Sequence, residues 1–172
     1  IIIVTLLQIL FFSGKGWTEP IPIFVSITPQ KYFVERIGGK DVKVEVMVQP
    51  GESPATFNPK PKKMSRLANA ILYFSIGVPF ERIWISRLKA IHPDLKFISL
   101  HPNLSSNIKS GNSQGKKDPH IWLSPLLAKK MVAKIEAALS KAKPESAKFF
   151  KINHISLAQE LDILDQEIRD II

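Results

Sequence analysis

Cysteine is absent from this 172-residue sequence. That excludes a disulfide framework, thiolate zinc fingers, a cysteine nucleophile and an anchor on a lipidated cysteine. Glycine is scarce, with eight in all. There is no phosphate-cradling Gly-rich loop, no Gly-x-Ser-x-Gly elbow and no His-Glu-x-x-His helix. No paired acid and base stands out either, so an enzyme is not expected. Long apolar runs are missing too. The run Ile1–Phe12, broken by Thr5 and Gln8, is too short for a bilayer, which needs about 20 residues. Acidic residues are outnumbered, 15 against 24 Lys and Arg, for a formal charge of +9. The excess is spread over many segments, so nucleic acid is not expected as a partner. Solubility or an anionic membrane surface accounts for it.

What is present describes a folded chain. Hydrophobic residues make up 45% and charged residues 23%, a globular balance in a length that suits one ordinary domain. Ile1–Phe12 followed by Ser13, Gly14 and Gly16 matches the apolar middle and cleavage region of a secretory signal peptide. The basic start and the initiator Met are missing, so residues 1–18 read as a signal peptide cut short at its front. The plainer alternative is a buried strand or helix. A signal would place the protein in the periplasm or outside the cell.

From residue 20 onward, strand-like and helix-like segments alternate. The spacing predicts strands over Ile21–Ile27, Val42–Val48, Ile71–Ile76 and Lys96–Leu100. It predicts a helix from Gln30 to Ile37, stopped by Gly38-Gly39, and a second from Pro61 to Ala70. A third opens at Pro79 with Ile83, Trp84, Leu88 and Ile91 on one face. Strands separated by helices give an α/β fold with a parallel four-stranded sheet and flanking helices over residues 20–143. Asn103 to Lys117, rich in Ser, Asn, Gly and Lys, reads as a mobile loop. Ser124-Pro125 starts a helix to about Lys141. From Pro144 one apolar stripe, Phe150, His154, Leu157, Leu161, Leu164, Ile168 and Ile171, runs on as a long backbone helix over 144–172. Its uncovered part, within residues 150–171, is a surface for self-association.

Ligands of an open parallel sheet collect beyond the carboxyl ends of its strands. There lie Thr28-Pro29, the Pro50 to Pro61 loop, Gly77-Val78-Pro79 and His101-Pro102. The loop ending in Asp118-Pro119-His120 reaches the same edge, so His101 and His120 face one cleft. Two imidazoles at one edge are the beginning of a metal site, or else two surface histidines beside prolines. His92 ends a helix and reads as a partner of its carbonyls. His154 lies on the apolar stripe as a packing residue.

Four segments occur in order: Gln30-Lys31-Tyr32-Phe33-Val34, Pro50 to Pro59, Leu72 to Glu81, and Asp118-Pro119-His120-Ile121-Trp122-Leu123-Ser124-Pro125. Together they resemble the zinc/manganese solute-binding proteins of bacterial ABC importers. The resemblance covers about residues 20–172. It implies two α/β lobes joined by a long helix, of which this chain carries the first lobe and the start of the helix, without the C-terminal lobe. It implies a zinc or manganese ion (Zn2+ or Mn2+) as cargo and the membrane permease of an importer as partner.

In that family the ion is held by one His from each of two first-lobe loops, and by a His and a carboxylate from the second lobe. The second-loop His matches His120. The first-loop His falls at Ala55, which has no donor atom, and the remaining two positions lie beyond Ile172. Water, His101 or Glu52 could fill the vacant place, in that order; Glu52 would favour harder ions such as manganese. Asp118 reads as the residue that orients the His120 loop, with Trp122 and Phe57 packing beneath the two loops. The alternative is an adhesion or interaction protein of the same fold with a degenerate metal site.

Overall fold

The computed structural model describes residues 19–101 and 118–171. The proposed signal peptide and the Asn103–Lys117 loop lie outside the described residues. The first strand, β1 (Ile21–Ile27), is buried on both faces, as its nearly continuous apolar run requires. The helix α1 (Thr28–Gly38) follows at once, with Pro29 in its first turn, and stops at Gly39 with φ 54°. A side chain at Gly38 would strike Val42 at 2.3 Å, so this tight corner into β2 (Val42–Val48) needs its glycine pair. Then come α2 (Pro61–Leu67), β3 (Leu72–Ser75), α3 (Glu81–Ile91), β4 (Lys96–Ser99), α4 (Pro125–Ala142) and α5 (Ala147–Ile171).

The four strands are parallel and ordered β2-β1-β3-β4. The chain steps from β1 to β2 in one direction, then back across β1 to β3 and on to β4. With right-handed crossovers, α1 lies on one face of the sheet and α2 and α3 on the other. The helices α4 and α5 pack against α1 and each other. Ser124 caps α4, its hydroxyl accepting from the Leu127 amide at 3.5 Å.

Several segments differ from expectation, β4 by one residue, since it ends at Ser99 rather than Leu100. α2 ends at Leu67 rather than Ala70, and β3 keeps only Leu72–Ser75. On α3 the inward residues are Glu81, Ile85 and Leu88, whereas Ile83 and Ile91 are each 59% exposed. Leu88 and the half-buried Trp84 face the core as the apolar pattern expected, but that pattern also turned Ile83 and Ile91 inward, where Glu81 and Ile85 are buried instead.

Helix α5 is fastened over its first half. Phe150, Leu157 and Leu161 enter the core. Asn153 donates to the Ile37 carbonyl at 2.9 Å, and Lys143, just before the helix, is paired with Asp41 at 3.0 Å. Beyond Leu161 the same stripe emerges: Leu164 is 44% and Ile171 84% exposed. Removing the buried ring by Phe150→Ala should cost about 3–5 kcal/mol. Ile163→Ala, at an exposed site on the same helix, should change stability by no more than about 0.5 kcal/mol. Urea unfolding of the two variants checks this.

Candidate metal centre

All four strand ends deliver polar groups to one edge of the sheet. After β2 the chain turns through Gly51, φ 88°. Glu52 closes that turn on itself: its amide donates to the Gln49 carbonyl at 3.0 Å and its carboxylate accepts from the Gln49 amide at 2.8 Å. The Ala55 amide donates to the Ser53 hydroxyl at 3.3 Å, and the Ala55 methyl is exposed. Phe57 roots this loop, packed edge-to-face on Phe80 at 5.3 Å between ring centres. The Pro54 carbonyl accepts from the Phe80 amide at 3.1 Å. The loop after β2 is therefore tied to the turn after β3.

The histidines meet through Asp118. The His120 ring sits 57% exposed, its Nδ1 2.5 Å from the Asp118 carboxylate. The same carboxylate oxygen accepts from the His120 amide at 3.0 Å. These donors, the backbone amide foremost, hold the Asp118 carboxyl below its usual range. A carboxylate at Nδ1 puts the ring proton there and leaves the Nε2 lone pair outward, the state a metal ion requires. His101 is turned inward, 4% exposed, with Nε2 donating to the Asp118 carbonyl at 3.2 Å. Trp122 lies beside the His120 ring at 5.0 Å. Among the described residues, no three His, Asp or Glu side chains are gathered closely enough to hold a metal ion between them.

The other two histidines stand elsewhere. His92 follows α3 with Nε2 buried and without a hydrogen-bond partner, and its amide, rather than its ring, reaches back to the Leu88 carbonyl at 2.8 Å. His154 packs between α5 and α4, with Nδ1 3.9 Å from the Glu136 carboxylate. Burial holds its ring below the ordinary histidine range.

Comparison with known proteins agrees with this architecture. The profile of the family described as zinc-uptake complex component A, periplasmic (ZnuA), matches residues 23–172. A protein of Chlamydia muridarum is 30% identical over 166 residues, covering 95% of this chain and 58% of its own length. The manganese-binding lipoprotein MntA of Bacillus subtilis is 27% identical over 155 residues, covering 90% of this chain and 51% of that protein. The crystal structure of a zinc-bound ZnuA deletion mutant superposes with a TM-score of 0.78 at 36% identity, over 88% of this chain and 58% of that one. This chain thus spans about half the length of the curated relatives it matches.

One polar group at this edge escaped pattern reading. Glu81, 1% exposed, lies in the first turn of α3 beneath the β3–α3 turn. Its carboxylate accepts from the Ser26 hydroxyl, from the Ile76 amide at 2.9 Å and from the Gly77 amide at 2.7 Å. A charged residue among Val78, Pro79, Phe80 and Ile85 was the available signal. Burial outweighs the three donors and pushes its carboxyl up from 4.5 to about 7. The folded state then holds a proton that the unfolded state has released. Between about pH 4.5 and 7, stability therefore falls as pH rises, by on the order of 3 kcal/mol for this group. Glu81→Gln should flatten that part of the profile, measured by urea unfolding at a series of pH values.

Proposed function

This chain belongs to the family of the periplasmic zinc-uptake complex component A, and from that premise we propose that it forms the first lobe of an extracytoplasmic metal receptor. The receptor captures a zinc or manganese ion and hands it to the membrane permease of an ABC importer. The relatives named for manganese binding and the zinc-bound structure support both ions as cargo. The observation that carries the reading is His120: an exposed imidazole at the carboxyl edge of the sheet, with its Nδ1 against the Asp118 carboxylate and Nε2 left over for an ion. This is a binding role, and the family is one of transport receptors. No specific observation favours the adhesion reading.

Residues 20–143 form the lobe and 144–172 the start of the helix that leads away from it. His120 is the principal donor from this lobe. His101 becomes a donor only by giving up its bond to the Asp118 carbonyl, and Glu52 only by leaving its turn. Position 55, exposed and anchored on both sides by Pro54 and Phe57, is where a further donor would complete the first-lobe set.

The 172-residue chain should therefore bind zinc or manganese weakly, the ion keeping waters where protein ligands are lacking. Ala55→His should strengthen zinc binding, and His120→Ala should remove most of that gain. Asp118→Ala, which frees the ring, should cost about tenfold. His92→Ala and His154→Ala should leave binding unchanged. Competition with a chromophoric chelator measures all of these, and sensitivity to His92 instead of His120 would displace the site from the sheet edge.

The emergent stripe of α5 yields a second expectation. Leu164, Ile168 and Ile171 stand exposed in a row beyond the packed half. Such a row drives association in water. The chain should self-associate in sedimentation velocity, and Leu164→Lys with Ile168→Lys should shift it toward monomer.

A further inference from the structure

We propose that Glu81 is a positioning residue for the metal-facing edge, a buried carboxyl group that locks the β3–α3 turn to β1 and, through that turn, holds the loop bearing position 55. The purpose assigned to this lock rests on the metal-capture reading, while the lock itself rests on geometry alone.

Three donors converge on one side chain from two places in the chain. Ser26 comes from the end of β1, and the Ile76 and Gly77 amides from the turn after β3. The Ser26 hydroxyl is also bonded to the Tyr73 hydroxyl at 2.9 Å, which extends the network across β3. Gly77 has φ 99°, a conformation that glycine accepts readily and that brings two successive amides to one acceptor. Tyr73 is the titratable group facing Glu81, burial pushes its hydroxyl well above the usual tyrosine range, and no cation forms an ion pair with Glu81 among the described residues.

An amide side chain could not do this work. The two carboxyl oxygens accept from all three donors, and a protonated carboxyl still does so because its hydroxyl oxygen keeps a lone pair, whereas the NH2 of glutamine accepts from none and would face at least one of them. Where one donor and one acceptor need joining, the fold does use glutamine: Gln30 takes the Ile27 amide at 3.0 Å and donates to the Phe74 carbonyl at 2.9 Å. The lock reaches the loop through the adjacent residue. The Phe80 amide holds the Pro54 carbonyl, and the Phe80 ring holds Phe57, so movement of Glu81 displaces both flanks of Ala55.

The lock is also proton-linked. Opening the turn returns the protonated carboxyl to water, where it ionises more easily, so opening becomes easier as pH rises through its titration. Amide hydrogen exchange of the metal-free chain, corrected for intrinsic rates between about pH 5 and about pH 8, tests this. Protection at residues 53–57 and 76–80 should fall together by about tenfold or more across that range, with β2 unaffected. Glu81→Gln should abolish the pH dependence and leave both segments less protected at the acid end. Ser26→Ala, a milder change that keeps the carboxylate but removes a donor to its ionised form, should move the step to higher pH. It serves where Glu81→Gln fails to fold.

A pH-independent parent overturns the proposal, as does a loop at 53–57 that stays protected while 76–80 opens. Zinc titration of the same chains separates the two readings. Coupled loosening with no zinc bound even by Ala55→His upholds the lock and removes the metal reading. Zinc binding with a loop indifferent to Glu81 removes the lock alone.

Discussion

The reversal of strand order between β1 and β3 is the constraint on which the carboxyl edge depends. Helices leaving these neighbouring strands go to opposite faces of the sheet, so the strand ends part and their backbone groups lose ladder partners. A buried amide or carbonyl left without a partner costs about 1–3 kcal/mol. Here four such groups are taken up by two side chains, Gln30 and Glu81. The first residues after the strands are thereby kept hydrogen-bonded where the ladder ends. The loops that carry Ala55 and His120 are mounted on that edge rather than hanging from it.

Asp118 does for the histidines what Glu81 does for the backbone. Its carboxylate orients His120 outward, and its carbonyl receives His101 from within. The two rings differ in what they can offer an ion. His120 is already half in water and presents a lone pair without rearrangement, whereas His101 would have to break a hydrogen bond and leave the core. One imidazole fixes neither coordination number nor preference among divalent ions. On the proposed reading, selectivity must come from the groups that complete the site around His120, with position 55 foremost among those in this lobe.

Much of the fold was legible because its signals are local. The double-sided apolar run of β1, the alternation in β2, the Gly38-Gly39 stop and the Ser124-Pro125 start each sit within a few residues of what they specify. The face of α3 was only partly legible, since apolar periodicity has no place for a buried Glu81 and so turned Ile83 and Ile91 inward. At the site, the Asp118–His120 contact was within reach, the two residues being separated by one proline. The inward turn of His101 and the convergence of residues 26, 73, 76, 77 and 81 were not. Those depend on strand order, which no local pattern encodes.

Helix α5 shows how an element can be directed without being covered. Its first half is fixed by Phe150, Leu157 and Leu161 and flanked by Arg36–Glu160 and Lys129–Asp162 ion pairs at 2.5 Å. Those exposed pairs contribute little energy, and it is the buried Phe150, Leu157 and Leu161 that set which side of the helix faces the lobe. Past Asp162 the helix is supported by its own turns, with Arg169 on Asp165 at 2.8 Å and Gln166 on Asp170 at 2.7 Å, both four residues apart. A helix that keeps its hydrogen bonds needs no neighbour to keep its direction. The packed half therefore decides where Leu164, Ile168 and Ile171 point, and the apolar row extends from the lobe as a rigid, aimed surface.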